Sequence, residues 1–410
     1  VDDDFPGPKF QGPEQWRLKR SEDHDIDDSI SKCSNCMRCD SACPSDVPLS
    51  QMHNTARAQY VDEQMDKTSL KYWRNRLLAN YGTMARLGST FPRLTNAVMG
   101  NSLVQQINEK LLGITAEREF PAFATETFRA WYAKRGGEAT SVENARRARE
   151  RRGEDADADK RVAYFHGDYA NHNTPEVAKA LVHVFESFGY AVLVPEQRCS
   201  GTPMFANGML EDARRAAKVN VESFHALVED DVDVVCSCTS CSMALRQEYP
   251  ELFSIPGTAE VAANTYDAVE YLRIEEDLDG ELAAAETTTD DLGVDSFAYH
   301  APCHARNQGL DGQTVELLSH LDDVDAEDVG DSCSGISGTY GWKTEKYETS
   351  MKVGEEMFEH MEDADATTGM TECPTCAMQM EHGTGYEIEH PLQVLEAALV
   401  DGATAEDEAA

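Results

Sequence analysis

The sequence lacks any apolar run near the ~18 residues that a membrane-crossing helix requires. No stretch reads as a secretory signal. Lysine is scarce, with 13 of the 36 basic residues against 23 arginines. Basic charge as a whole is short: 36 basic minus 75 acidic residues leaves −39. That field repels phosphate and argues against a nucleic-acid partner. Repulsion of this size destabilises a compact state in dilute buffer. It is largely screened near 1 M salt, where the Debye length is about 3 Å. The balance predicts adaptation to a saline cytoplasm such as that of an extreme halophile, with an acidic protein from an ordinary cell as the alternative. The apolar fraction, 41%, is enough for real cores.

Twelve cysteines are present, and most stand in metal-ligand spacings. In a chain this long they point to a reducing, cytoplasmic setting rather than a disulfide framework. The densest run is Cys33-x2-Cys36-x2-Cys39-x3-Cys43-Pro44, the bacterial ferredoxin pattern for a [4Fe–4S] cluster. In two-cluster ferredoxins the fourth cysteine serves the other cluster. Cys43 is therefore expected to serve a second cluster, and Cys33, Cys36 and Cys39 to need one further cysteine. The first residue is Val1 rather than Met, so both missing parts are expected upstream. Structural zinc is disfavoured, because it uses two separated pairs.

Four segments are expected. Residues 1–60 read as a ferredoxin-type domain. Residues 61–155 read as a basic helical connector, with Leu70, Trp73, Leu77 and Leu78, then Leu103, Ile107, Leu111 and Leu112, at helical spacing. From Lys71 to Arg135 ten basic and four acidic residues give +6. Such a face, with Trp73, Tyr81, Phe91, Trp131 and Tyr132, predicts contact with a membrane surface or an acidic partner, or else a helix–helix core. An arginine-rich linker follows Gly136–Gly137.

Residues 156–290 and 291–410 read as two copies of one α/β domain. Strands are predicted at 161–166, 190–194, 233–236 and 297–300, with a helix from Thr174-Pro175 to Gly189. Cys199-Ser200-Gly201 recurs as Cys333-Ser334-Gly335, 134 positions on, and Cys238-x-x-Cys241 as Cys373-x-x-Cys376, 135 on. Asp168 recurs as Cys303, also 135 on. The acidic stretch 277–295 joins the copies, and the last ten residues read as a solvated tail. In the second copy Cys303, Cys333, Cys373 and Cys376 suit a [4Fe–4S] cluster or a zinc ion. The first copy offers Cys199, Cys238 and Cys241 for a weaker cluster, a redox dithiol or a structural remnant.

Together these features resemble the C subunits of anaerobic glycerol-3-phosphate dehydrogenase complexes. The resemblance rests on Pro6-Gly7-Pro8-Lys9, Cys39 with Ala42 to Val47, Phe165-His166-Gly167, His300-x-Pro302-Cys303-His304 and Cys333 to Gly341. It implies a second ferredoxin motif upstream and two cysteine-rich CCG domains. It also implies electron transfer from flavin-containing A and B subunits towards quinone, at the cytoplasmic side of the membrane, peripherally bound. The sequence departs from the family pattern at Asp168, Ser200 and Ser334, where the family has cysteines. These departures disfavour a five-cysteine cluster. The alternative function is a heterodisulfide-reductase-like, or glycolate- or lactate-oxidase-type, iron–sulfur subunit. A docking scaffold without a redox role is the third class. No G-x-G-x-x-G flavin fingerprint follows a strand, so the chain is expected to carry electrons rather than oxidise glycerol 3-phosphate.

Overall fold

The structure, a computed structural model, describes residues 5–400 except 23, 46, 286, 288–291 and 322. Part of the acidic joint and the whole C-terminal tail anticipated above lie outside the described residues.

The amino-terminal part is helical: α1 (Gln15–Glu22), α2 (Arg38–Ser41) and α3 (Leu49–Gln59). Then come α4 (Leu70–Ala79), α5 (Tyr81–Gly88), α6 (Pro92–Met99) and α7 (Ser102–Leu112). Helix α4 starts where the Ser69 side chain accepts from the backbone N–H of Tyr72, and α7 where Asn101 does the same for Leu103 and Val104. Each satisfies a donor that the first helical turn leaves free. Gly113, at φ +67°, closes α7.

Helix α8 (Phe128–Lys134) and α9 (Glu138–Arg152) come next. The arginine-rich stretch read as a linker is thus largely helix α9. It packs Ala145 and Ala148 inward, and its Ser141 hydroxyl accepts from the N–H of Val192 in the first sheet. The apolar face is only small residues, which is why periodicity gave little signal.

The first copy then runs β1 (Arg161–Phe165), α10 (Tyr169–His172), α11 (Pro175–Ser187), β2 (Ala191–Leu193), α12 (Thr202–Ala206), α13 (Leu210–Val228), β3 (Asp233–Cys236), α14 (Thr239–Met243) and, further on, β4 (Thr265–Asp267). The second copy supplies β5 (Ser296–Tyr299), β6 (Asp325–Asp328), β7 (Thr368–Met370) and β8 (Ile388–Glu389). Both sheets are parallel, and their orders, β2-β1-β3-β4 and β6-β5-β7-β8, are the same. The α/β reading and the repeat are both present. Val162 to Phe165 are fully buried, as a parallel strand covered on both faces requires.

The copies share one core. Phe185, Leu181 and Val184 of α11 belong to the same buried cluster as Phe297 and Leu317 of the second copy and as Leu392 and Leu395 of helix Pro391–Leu399. A polar tie reinforces this: Lys343 Nζ donates to Asn207 Oδ1 at 2.8 Å, and Asn207 Nδ2 donates to Thr339 Oγ1 at 2.7 Å.

The amino-terminal helices sit on both copies. Arg74 of α4 makes a bidentate pair with Glu345 at 2.6 and 2.8 Å, and Arg38 bonds the Asp331 carbonyl at 3.0 Å. Three of the ten basic residues between Lys71 and Arg135 are internal. Arg74 and Arg118 are buried, and Arg135 pairs with the equally buried Glu186 at 2.7 Å. Trp131 and Tyr132 also differ from the surface role considered for them. They pack with Phe128 in the core of the first copy. What α4 to α7 and their joints present outward is a mixture of apolar side chains, with Trp73 56% exposed, Leu87 73%, Phe91 68% and Leu103 67%, and basic ones, among them Lys71, Arg86, Arg93 and Lys110.

Candidate iron–sulfur centres

The ferredoxin run forms a tight loop because two of its non-glycine residues, Asn35 and Met37, enter the left-handed region, at φ +63° and +61°. Those two reversals bring the thiols close enough that Cys33 raises Cys36, and Cys33 and Cys36 both add to the rise of Cys39. Cys43 follows α2 and lies outside the wall of the cavity described below.

Parallel sheets place their sites at the carboxyl ends of their strands. Cys238 stands two residues after β3, Cys303 four after β5 and Cys373 three after β7. The Cys-Ser-Gly loops complete each set. Gly201 and Gly335 adopt φ +98° and +80°, and a Cβ on Gly335 would lie 2.2 Å from the Ser350 carbonyl oxygen. Glycine is therefore the residue that lets this loop pass.

The serines face the second cysteine of their own C-x-x-C motif. Ser200 Oγ is 3.5 Å from Cys241 Sγ, and Ser334 Oγ is 3.2 Å from Cys376 Sγ. The Gly335 N–H donates to Cys333 Sγ at 3.4 Å.

These loops converge on one cavity of about 1150 Å³. Its wall carries Cys36 of the ferredoxin run, Cys199, Cys238 and Cys241 of the first copy, and Cys303, Cys333, Cys373 and Cys376 of the second. Thiols from different segments touch: Cys36 with Cys333, and Cys238 with Cys373. The cavity continues away from the thiols between Leu77, Tyr81, Met84, Leu87 and Met99 of the amino-terminal helices and Phe120 and Phe123. Tyr81 stacks on Tyr169 along this wall, at 5.4 Å between ring centroids.

Electrostatics divide the thiols. Burial opposes ionisation of Cys33, but Arg57 and His53 outweigh it and pull the thiol down to about 6. Cys36 is pushed up by its contact with Cys333 and by burial. Cys373 is pulled down by hydrogen bonds from Cys238 and Cys376. In the first copy burial and the neighbouring Asp168 push Cys199 up, and burial raises Asp168 itself.

A thiolate is the form that binds metal; the surroundings favour it at Cys33 and Cys373 and oppose it at Cys36, Cys199, Cys238 and Cys376 alike. Among the described residues no three Cys, His, Asp or Glu side chains converge as a site for a single metal ion. Thiols spread around a void fit a multi-iron cluster, which fills the space between its ligands, better than one zinc ion.

Family comparison agrees with this arrangement. The cysteine-rich CCG domain family matches residues 162–246 and 297–381. The C subunit of the anaerobic glycerol-3-phosphate dehydrogenase of Escherichia coli K12 is 31% identical over 401 residues, spanning 97% of this chain and 94% of that protein. The chain belongs to that C-subunit family. An uncharacterised iron–sulfur protein of Methanococcus maripaludis is 23% identical over 379 residues, 90% of this chain and 60% of its own length. The lactate utilization protein A of an Exiguobacterium species is 27% identical over 238 residues, 55% and 90%. The relatives thus include a dehydrogenase component and an iron–sulfur protein, and the two matched CCG segments carry seven of the eight cavity thiols.

Sequence reading missed His53, Arg57 and the inward turn of the two serines. The first two lie four residues apart on α3 and so share a helix face. That spacing, just after the cysteine run, was the available signal.

Proposed function

We propose that the chain is the iron–sulfur electron-transfer subunit of a quinone-linked glycerol-3-phosphate dehydrogenase complex, docked at the membrane surface and reduced by flavin-bearing A and B subunits. The observation that carries this reading is the single cavity. Its wall joins Cys36 of the ferredoxin run and the thiols of both CCG copies to apolar side chains of the amino-terminal helices, whose outer surface exposes both apolar and basic residues.

Cys33, Cys36 and Cys39 would hold one [4Fe–4S] cluster with a fourth ligand from elsewhere, and Cys43 would contribute to a second. Cys303, Cys333, Cys373 and Cys376 would hold the cluster of the second copy. Cys199, Cys238 and Cys241, with Asp168 in the fourth place, would hold one weakly. When bound, such clusters take up and release single electrons at potentials set by their surroundings. The chain's own contribution is positioning. The Cys36–Cys333 contact brings the ferredoxin run against the second copy. The buried walls exclude water, and the apolar arm accepts a greasy acceptor. Among the described residues no helix is long and apolar enough to cross a membrane, so docking falls to the exposed faces of α4 to α7.

The test is the complex assembled with and without this chain. Glycerol 3-phosphate should reduce a water-soluble dye in both cases and quinone only when the chain is present. Equal quinone reduction without it overturns the reading. In the loaded complex, Cys373→Ser should cost more iron, and more of the EPR signal, than Cys238→Ser; equal losses would contradict the ranking of the two copies. A partner oxidising lactate is the second reading, favoured by the lactate-utilisation relative, and would show itself as dye reduction with lactate in place of glycerol 3-phosphate.

A further inference from the structure

Two buried side chains on α3 face the cysteine run. Arg57 is 4% exposed and His53 2%. Arg57 Nη2 donates to the Cys33 carbonyl at 2.9 Å, while Nη1 donates to Asn54 Oδ1 at 3.1 Å and to the Phe205 carbonyl at 3.2 Å. All three partners are neutral oxygens. The guanidinium therefore keeps its charge uncancelled at the base of the ligand loop, and guanidinium does not deprotonate in proteins.

His53 is held from the other side. Its Nε2 lies 3.0 Å from the Pro8 carbonyl, which can only accept, so this nitrogen carries a proton. Its Nδ1 lies 3.5 Å from Cys33 Sγ, within reach of the sulfur, and donates to it when both ring nitrogens carry a proton, as in the imidazolium. Gly12 packs on the ring, with room for a Cβ only at 3.2 Å from it. The Pro-Gly-Pro-Lys segment thus clamps the histidine against the cysteine.

We propose that Arg57, supported by His53, sets the reduction potential of the ferredoxin-type centre by holding positive charge and a hydrogen bond against Cys33. Reduction adds an electron, so a nearby cation favours the reduced state and raises the potential. Hydrogen bonds to the sulfurs act in the same direction. The surroundings make this pair decisive. The −39 of the chain lies mostly on its surface, where molar salt screens it within about 3 Å. Arg57 and His53 are out of reach of salt. The potential of this centre is therefore insulated from the charge of the surface around it. Both are positioning residues acting through Cys33.

The inference rests on Cys33, Cys36 and Cys39 being cluster ligands, and the experiment separates the two. The full-length chain is prepared anaerobically in its complex, iron is counted, and the ferredoxin-type EPR signal is titrated against potential. Arg57→Gln and, independently, His53→Leu should keep their iron and shift the midpoint to more negative potential, while Arg57→Lys stays near the wild type. Two sites are used so that loss of iron at one leaves the other to decide. Unshifted midpoints in iron-replete Arg57→Gln and His53→Leu overturn the proposal. A ferredoxin-type signal that survives Cys33→Ser overturns the ligand assignment, and the proposal with it.

Discussion

Glu248 stands inside the protein with 1% of its surface exposed, facing the buried Asn35 of the ferredoxin loop. Burial, with Glu251 adding to it, pushes the carboxyl up to about 8 from its ordinary 4.5. The folded chain therefore holds a proton here that the unfolded chain has already lost at neutral pH. Stability is highest below about 4.5 as far as this group is concerned, and falls as pH rises towards about 8. At pH 7 the loss is on the order of 3 kcal/mol. Glu248→Gln should remove most of it, and denaturant melts at pH 5 and pH 8 will then differ less than in the wild type. An unchanged difference would place the pH sensitivity elsewhere. At this scale the cysteine run could be read as a candidate site from sequence alone, because closely spaced thiols in one loop define such a site locally. Ser200, Ser334, His53 and Arg57 could not, because their partners are brought to them by chain far away in sequence.

At the scale of elements, the strand Asp233–Cys236 and the helix ending at Gly189 were readable from their apolar runs and terminal residues. The repeat was readable from one constant offset. Helix α9 was not, for its buried face is Ser141, Ala145, Ala148 and Arg149, with no large apolar side chain to mark it. Nor could periodicity say which side of α4 to α7 meets protein. Leu78 is buried while Trp73 and Leu77 on the same helix are 56% and 41% exposed. An amphipathic pattern has the same form whether its apolar stripe meets a core or lipid.

The exposed stripe allows a sharper experiment than a core position would. Phe91→Glu with Leu94→Glu changes residues 68% and 65% exposed, so stability should move by no more than about 0.5 kcal/mol per site. Flotation with lipid vesicles should be lost, since at working salt apolar burial must carry the attachment. Flotation equal to wild type in the folded double variant would assign the stripe to a protein partner.

Over the whole molecule the net charge of −39 dominates. Ion pairs such as Arg135–Glu186 and Arg74–Glu345 are local and leave most carboxylates without a cation. The melting temperature should therefore climb as potassium chloride rises from about 0.2 to about 3 M and screens the excess. A flat salt series would remove the halophile reading.

Helix Pro391–Leu399 packs its Leu392 and Leu395 against α11 of the first copy, which lies more than two hundred residues earlier in the chain. The core of the first domain is thus finished by side chains that follow Cys376 in the sequence. A ribosome that has delivered all the thiols has still not delivered the side chains that hold both sheets in register around them. Cofactor loading accordingly waits on that helix, and a truncation that removes it while sparing Cys376 will yield a colourless protein.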